Sequence, residues 1–265
     1  MVSSLVFCTA LRNGVIQKTN GYLLMSALSS LLAEDGQENF FHQRGDFNGR
    51  KNFSLSPLLP ASFWRYPGQS CQRDVLHVGK EQCWAFRIAF LKNDDFEKFR
   101  FFYTGKTFEI KSVPFEIISI SLPGDNDMSM KESVSDILTA SAAIGVDMHF
   151  FTPTGFKAYG DVQQILPVPE LIFDTLARRF YAAGIGIHFE PVRDVIVQRF
   201  KIESSLAFLK NGYLRGCVGV VSYSWNDAEQ KMKQQLTALS RFAFYSGVGY
   251  KTAQGMGQVL PKLRF

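Results

Sequence analysis

The amino-acid sequence contains the same order of predicted secondary structure twice. Strands are predicted where β-branched and aromatic residues cluster between turn signals, and helices where apolar residues recur every three or four positions. The first half has a strand at 2–11, a helix at 20–33, strands at 53–59 and 84–91, a helix at 94–103 and a strand at 108–122. The second half has a strand at 146–152, a helix at 169–183, strands at 195–209 and 213–225, a helix at 226–247 and a strand at 256–263. Each half therefore has the order β-α-β-β-α-β.

This doubled order predicts an α+β protein of two tandem ferredoxin-like domains, a fold that is also called RRM-like. In each domain we expect an antiparallel sheet with both helices on one face. Residues 123–145 are polar, open with a Pro-Gly turn signal and hold at most one short helix, which is typical of a linker. The predicted domains are therefore 1–123 and 146–265. Because ferredoxin-like domains include enzymes, RNA binders and metal carriers, the fold alone does not identify a function.

Capping residues predict where two of the helices begin, and apolar stripes predict which of their faces are buried. Asp94 is the expected N-cap of the second helix, and Asn226 with Glu229 has the spacing of a capping box at the start of the last helix. The expected buried faces are Phe96, Phe99 and Tyr103 on the second helix, and Met232, Leu236, Leu239 and Ala243 on the last.

The composition is that of a folded protein that needs no covalent or metal support. The chain has 265 residues, 46% of them apolar, which is enough for a full hydrophobic core. The cysteines have no Cys-x-x-Cys spacing, so we expect buried apolar side chains and neither a metal site nor another cofactor; they are Cys8, Cys71, Cys83 and Cys217. No apolar run reaches about 18 residues, and the segment 5–11 is too short for a signal peptide. We therefore expect a cytoplasmic protein that binds no membrane.

Positive charge is concentrated in two parts of the chain. The net charge is +5, but residues 193–265 hold 11 basic and 4 acidic residues, so this segment carries +7 and the rest −2. A second basic segment lies between 39 and 73, where Asp46 is the single acidic residue. Such segregation suits a polyanion such as a nucleic acid. Charge alone also allows the alternative of an ordinary solvated surface.

The most specific local pattern is a glycine-rich loop between the last predicted helix and the last predicted strand. It reads Gly-Val-Gly-Tyr-Lys-Thr-Ala-Gln-Gly-Met-Gly from 247 to 257, so four of its eleven residues are glycine. Glycine allows positive φ and a close approach of the backbone, so such a loop can turn N–H groups toward a phosphate, with Lys251 adding a charge. The alternative is structural: a helix C-cap at Gly247, a tight turn and a strand bulge.

At these residues the chain resembles the CRISPR-associated endoribonucleases that process precursor CRISPR RNA, which are members of the RAMP superfamily. Four further segments are similar to that family: Phe41-His42, residues 51–56 (Lys-Asn-Phe-Ser-Leu-Ser), residues 151–156 (Phe-Thr-Pro-Thr-Gly-Phe), and Pro167-Val168-Pro169 with Arg178-Arg179-Phe180. The likeness spans the whole chain, and its specificity comes from the order and spacing of these segments together.

The resemblance implies a protein that binds CRISPR repeat RNA and cuts the precursor transcript once without a metal, leaving a 5′-hydroxyl and a 2′,3′-cyclic phosphate. Such chemistry needs groups that move protons at the 2′-hydroxyl and the 5′-oxygen, and a cation near the phosphate. His42 and Lys51 occupy the positions where the family keeps such a pair. His42 lies in a basic loop, whereas the other three histidines lie in or beside apolar segments and are expected to be structural.

The candidate RNA-binding residues come from the glycine-rich loop and from the basic segments. They are Gly247, Gly249, Tyr250, Lys251, Gly255, Gly257, Arg44, Arg50, Lys231, Lys233 and Arg241. For Lys231, Lys233 and Arg241, a solvated helix face is the alternative.

One departure from the family affects the mechanism. Well-studied relatives add a catalytic tyrosine from the first helix, and the matching position here is Leu28. This departure leaves the identity of the second proton-transfer group open, with water and Lys51 as candidates. It also leaves open a non-catalytic RNA-binding RAMP subunit of a CRISPR effector complex, and a small-molecule enzyme on the same fold is a third interpretation. CRISPR effector-complex proteins and a second copy of the chain are the protein partners considered.

Overall fold

The computed structural model describes residues 1–34, 41, 51–65, 74–157, 163–185, 187–210 and 212–265. The strands are β1 (Val2–Ala10), β2 (Gly14–Gln17), β3 (Phe53–Leu55), β4 (Leu59–Pro60), β5 (Val75–Val78), β6 (Cys83–Phe90), β7 (Thr107–Ile110), β8 (Val113–Ile120), β9 (Gly145–Thr154), β10 (Phe156–Lys157), β11 (Gln163–Gln164), β12 (Ile196–Leu209), β13 (Gly212–Ser224) and β14 (Val259–Arg264). The helices are α1 (Gly21–Glu34), α2 (Asn93–Tyr103), α3 (Val134–Leu138), α4 (Pro169–Phe180) and α5 (Gln230–Ser246).

The two main sheets have the same strand topology. The first has the order β3-β6-β1-β8-β7, with β4 also pairing with β6. The second has the order β12-β13-β9-β14, and the pairs described within both sheets are antiparallel. In each half the four strands of the β-α-β-β-α-β unit, counted along the chain, therefore lie in the order 2-3-1-4. This confirms the predicted α+β fold of two tandem ferredoxin-like units.

In each half a side-chain contact joins the two long helices. The Tyr103 hydroxyl of α2 donates a hydrogen bond of 2.7 Å to the carbonyl oxygen of Leu28 in α1. In the second half, the rings of Phe180 at the end of α4 and Phe242 in α5 lie 4.8 Å apart. The apolar stripes predicted for α2 and α5 are buried, which confirms the helical periodicity read from the sequence.

Some local predictions were wrong. The predicted strand 108–122 is a hairpin of β7 and β8, whose turn places Lys111 and Ser112 at φ angles of 46° and 62°. Neither residue is the glycine or asparagine that marks such a turn in a sequence. The small hairpin of β2 and β5, whose strands are far apart in sequence, was also not predicted.

The capping residues differ from those predicted. Lys92 is the N-cap of α2, and Asp94 lies inside its first turn. Helix α5 begins one turn later than predicted, with Glu229 as its N-cap and no side-chain capping bond, so the box with Asn226 is absent. The Asn226 amide instead lies 3.4 Å from a carboxylate oxygen of Asp227. Local side-chain bonds of this kind compete with a cap.

Side chains from both halves interlock at the boundary between the two sheets. Arg87 in β6 is fully buried, and its Nη1 donates 3.0 Å to Oε1 of Gln258 in the second half. Its second guanidinium nitrogen donates to the carbonyl oxygen of Phe244, and its charge lies over the Phe244 ring at 4.1 Å. The Ser54 hydroxyl of β3 donates 2.8 Å to the carbonyl oxygen of Tyr245. These contacts fix β3 against the end of α5.

The predicted linker holds one short helix, α3, as expected, and α3 begins at a capping box of Ser133 and Asp136. The domain boundaries 1–123 and 146–265 stay a prediction. Among the described helices, none has the length and apolar character that a membrane crossing needs. Cys8 and Cys217 are buried as predicted, whereas Cys83 is exposed at the start of β6, and Cys71 lies outside the described residues.

Candidate functional site

A cleft of about 480 Å³ lies where the two halves meet. Its described lining is Met25, Lys51, Phe156, Lys157, Thr175, Arg178, Arg179, Gly249, Tyr250, Lys251, Thr252, Ala253 and Gln254. The cleft thus brings Lys51, predicted from the first half, together with Gly249, Tyr250 and Lys251 from the glycine-rich loop. Five of the lining residues are basic, and none of the described ones is acidic. Such a cleft attracts polyanions.

Lys51 stands just before β3 and is half-buried. Its side-chain amine donates a hydrogen bond to the carbonyl oxygen of Phe41. Phe41 is 1% exposed and packs on Phe53, with ring centroids 4.9 Å apart. The residue before the predicted catalytic histidine is therefore anchored next to the predicted lysine. His42, Arg44 and Arg50 lie outside the described residues.

The glycine-rich loop packs backbone against backbone. Gly255 has a φ of 92°, and a Cβ placed on it would lie 2.8 Å from the Cα of Gly21, the first residue of α1. Gly249 has a φ of 78°, and a Cβ there would lie 2.3 Å from the carbonyl oxygen of Gly155. Real Cβ atoms do not approach so closely, so these positions require glycine both for conformation and for space.

The two outer glycines close the loop on itself. Gly247 ends α5 as its C-cap with a φ of 68°, as the structural alternative for this residue predicts. The Val248 N–H donates 2.8 Å to the Gly257 carbonyl oxygen, and the Gly257 N–H donates 3.0 Å to the Pro153 carbonyl oxygen. The Tyr250 N–H donates 3.1 Å to the Gly155 carbonyl oxygen. The first bond closes the loop and the other two attach it to residues 153–155, so a phosphate in the cleft would contact the loop through its side chains and its remaining amides.

Tyr250 and Lys251 are two of the side chains with which the loop lines the cleft. Burial raises the pKa of the Tyr250 phenol, so it is neutral at pH 7 and can donate a hydrogen bond. Lys251 is exposed and adopts a left-handed conformation with a φ of 59°. Loop geometry therefore presents a phenol and an ammonium group side by side.

Three basic residues of the cleft were not predicted as site residues. Lys157 follows the segment 151–156, and Arg178 and Arg179 belong to a segment that the family resemblance included without a role. Arg179 is buried, with one guanidinium nitrogen donating to the Thr252 hydroxyl and the other, at 3.2 Å, to the Phe53 carbonyl oxygen. It therefore braces the loop against β3. The Arg-Arg pair at the end of a helix was the signal that sequence reasoning could have used.

The basic residues predicted on α5 do not line the cleft. Lys231 forms an ion pair with Glu190, and Arg241 forms one with Glu132. Lys233 is half-buried in the first turn of the helix. Their role as RNA contacts stays a prediction.

The position that corresponds to the family tyrosine cannot contribute to the cleft. Leu28 is fully buried in the core, while Met25, one turn earlier on α1, lines the cleft. Of the three histidines expected to be structural, His149 is half-buried, and His77 and His188 are exposed. Their structural role stays a prediction. Within the described ranges, no three histidine, cysteine, aspartate or glutamate side chains come together in a way that could hold a metal ion.

Comparisons with known proteins identify relatives of this fold. The family model described as CRISPR-associated endoribonuclease Cas6 matches residues 148–259. No curated protein sequence matches the chain significantly. The family-model match runs from Met148 within β9 to the first residue of β14, and it includes the glycine-rich loop.

Solved structures match over the whole length. A Cas6 (TTHA0078) product complex shares 22% identity, with 99% of this chain and 100% of that chain covered and a TM-score of 0.72. A product complex of Thermus thermophilus Cas6 (TTHB231) shares 17% identity, with 98% and 99% covered and a TM-score of 0.74. A structure described as an RAMP protein binding different RNA substrates shares 14% identity, with 100% of both chains covered and a TM-score of 0.64. Residues 148–259 thus match the Cas6 family, the whole chain has the fold of solved Cas6 structures, and the family resemblance predicted from the sequence is confirmed.

Proposed function

We propose that this chain is a metal-independent endoribonuclease that binds CRISPR repeat RNA and cleaves precursor CRISPR transcripts. The observation that carries the proposal is the composition of the cleft. Lys51 of the first half and Lys251 of the second half both line the cleft beside Lys157, Arg178 and Arg179, with no acidic residue among the described lining. A groove of this charge follows the phosphates of an RNA strand. The solved Cas6 product and substrate-mimic complexes support RNA as the ligand.

In the proposed reaction, the ribose 2′-oxygen attacks its own phosphate and the bond from phosphorus to the 5′-oxygen breaks. The 2′-hydroxyl loses its proton, the leaving 5′-oxygen gains one, and the products are a 2′,3′-cyclic phosphate and a 5′-hydroxyl. His42 transfers a proton, because an imidazole ring can both accept and donate one. Lys51 stabilises the additional negative charge on the phosphate. The bond from Lys51 to Phe41, the residue directly before His42, supports the joint action of this pair.

The second proton-transfer step has no assigned side chain. The family tyrosine is replaced by Leu28, whose side chain is fully buried. Water or Lys51 takes this step in the proposed mechanism.

The test is cleavage of a labelled CRISPR repeat RNA in excess EDTA, with the ends of the products identified. A single cut that leaves a cyclic phosphate supports the proposal, and a substrate with a 2′-deoxy nucleotide at the cut site should stay intact. Cleavage that requires a divalent cation, or products with a 5′-phosphate, would contradict the proposal.

The buried Leu28 also favours a second candidate function, a non-catalytic RNA-binding RAMP subunit of an effector complex. That protein would bind repeat RNA in a salt-dependent manner but would produce no new ends. Contacts with effector proteins, a homodimer and a cytoplasmic location stay predictions.

A further inference from the structure

A second, smaller cavity of about 210 Å³ lies beside the cleft. Its described lining is Tyr22, Leu209, Lys210, Gly212, Tyr213, Leu214, Lys251 and Gln254. Lys251 and Gln254 line the cleft as well, so the two cavities are neighbours that share one wall. We call the smaller cavity the hairpin pocket, because most of its described lining belongs to the end of the hairpin that β12 and β13 form.

The hairpin pocket is made by a part of the second half that reaches over the first. The pairing of β13 with β9 ends where Cys217 lies opposite Thr154, so the hairpin tip extends past the end of β9. At the tip, the Phe208 N–H donates 3.2 Å to the hydroxyl oxygen of Thr19, just before α1. The tip is thereby held over the first turn of α1, where Tyr22 lies.

The lining of the hairpin pocket combines aromatic, apolar and cationic groups. Tyr213 is 58% exposed, and Tyr22 is half-buried. Leu209 and Leu214 supply an apolar wall, and Lys210 and Lys251 supply positive charge. None of the described lining residues is acidic. An exposed aromatic ring beside lysines and next to a phosphate-binding groove is the arrangement with which proteins hold an unstacked base of single-stranded RNA.

A phosphate alone would not explain this lining. Two lysines suffice to bind a phosphate group, whereas the Tyr213 ring lies in one cavity with Leu209 and Leu214 and adds a flat apolar surface that a phosphate does not use. A nucleobase uses both, because its flat face stacks on the ring while the adjoining phosphates contact the lysines.

We propose that the hairpin pocket binds one unstacked nucleobase of the RNA, next to the phosphate held in the cleft, with Tyr213 as the stacking surface and Lys210 at the adjoining phosphate. The inference deepens the proposed function and rests on it, since the RNA would be the substrate of the same site. The pocket would thereby set which nucleotide flanks the cut.

The experiment measures binding of a repeat RNA that carries a 2′-deoxy nucleotide at the cut site, together with a series of the same RNA in which one base at a time near the cut is removed. We expect Tyr213→Ala to weaken binding of the intact RNA about 10-fold, whereas Tyr213→Phe stays within about 2-fold of the wild type. One abasic RNA should bind the wild type about 10-fold more weakly. For that RNA, Tyr213→Ala should cause no further loss of affinity. Such loss of additivity identifies a direct contact.

Phe200→Ala is the matched control variant. Phe200 is another exposed aromatic residue of the same hairpin, 67% exposed in β12, and does not line the hairpin pocket. Its replacement should leave the affinity of every RNA unchanged. Thermal unfolding of all variants checks that the folded state is retained, which the exposure of both side chains favours.

Three results would overturn the inference. The first is that Tyr213→Ala binds intact RNA as tightly as the wild type. The second is that Tyr213→Ala lowers the affinity by the same factor for every abasic RNA. The third is that Phe200→Ala lowers the affinity as much as Tyr213→Ala does. In these cases wild-type binding and cleavage would still stand, so the proposed function would survive. Failure of the wild type to bind any repeat RNA would instead overturn both.

Discussion

The side-chain amine of Lys51 donates a hydrogen bond to the carbonyl oxygen of Phe41. These two residues flank the segment that contains His42, and Phe41 is locked into the aromatic core beside Phe53. The bond thus joins Lys51 to the residue directly before His42, ten residues earlier in the sequence. This relationship supports a shared role of Lys51 and His42 at one phosphate.

Replacing Lys51 should slow cleavage more than it weakens binding. Lys51→Ala removes the charge that stabilises the phosphate in the transition state, and we expect a single-turnover rate about 100-fold lower. Lys51→Arg keeps the charge and should retain more of the rate. Lys80→Ala is the control, because Lys80 is an exposed lysine outside the described cleft lining and should cleave like the wild type. Equal rates for Lys51→Ala and Lys80→Ala would remove Lys51 from the mechanism.

Removing the charge of Lys251 should change the salt dependence of RNA binding. If Lys251 contacts one phosphate, Lys251→Ala should reduce the slope of log Kd against log salt by about one. Titrations of non-cleavable repeat RNA at several salt concentrations measure this slope, with Lys80→Ala again as the control. A slope unchanged from the wild type would place Lys251 outside the RNA path.

Alanine at Gly255 should destabilise the protein more than alanine at another glycine of similar conformation. Gly255 and Gly124 have φ angles of 92° and 98°, but a Cβ at Gly124 would meet nothing within 4 Å. Both substitutions cost backbone strain of about 1 kcal/mol, and the contact of Gly255 with Gly21 should add about 2 kcal/mol to the first. Urea unfolding of the two variants measures the difference. If both variants lose the same free energy of unfolding, the close approach of Gly255 to α1 adds nothing to the destabilisation.

His149 should make the protein less stable at acidic pH. Burial, with a smaller contribution from Lys262, lowers its pKa below the usual 6.5. The unfolded chain then binds a proton more readily than the folded chain does. The free energy of unfolding therefore decreases as pH falls through about 6.5. His149→Gln should therefore narrow the gap in the free energy of unfolding between pH 8 and pH 5. An unchanged gap would mean that His149 titrates alike in both states.

Periodic patterns were sufficient to predict the fold. Each stripe of α2 and α5 that the sequence predicts as apolar is buried, because core burial and helical period act on the same residues. The local errors arise where a competing local or tertiary contact determines the helix cap or the turn conformation. Asn226 lies beside Asp227 rather than capping a helix, and the turn at Lys111 and Ser112 adopts positive φ without glycine.

The site residues that the sequence predicted are those that lie within recognisable motifs. Lys51 and Lys251 were identified separately, and the structure places both in one cleft. The glycines of the loop were interpreted mainly as a phosphate cradle, but Gly249 and Gly255 are required by close packing against Gly155 and Gly21. Lys157 and Arg179 were missed because their proximity to Lys51 depends on how the two halves are placed together. The paired arginines at the end of α4 were a local signal, but they do not show that Arg179 reaches β3.

The central claim is cleavage by the pair of His42 and Lys51 without a metal. The most direct measurement is a single-turnover assay of repeat RNA in EDTA with the wild type, His42→Ala and Lys51→Ala, with the product ends identified. We expect one cut by the wild type that leaves a 2′,3′-cyclic phosphate, and loss of most of the rate in both variants. Tight binding of the repeat by the wild type without any cleavage would contradict the claim and identify the chain as an RNA-binding subunit.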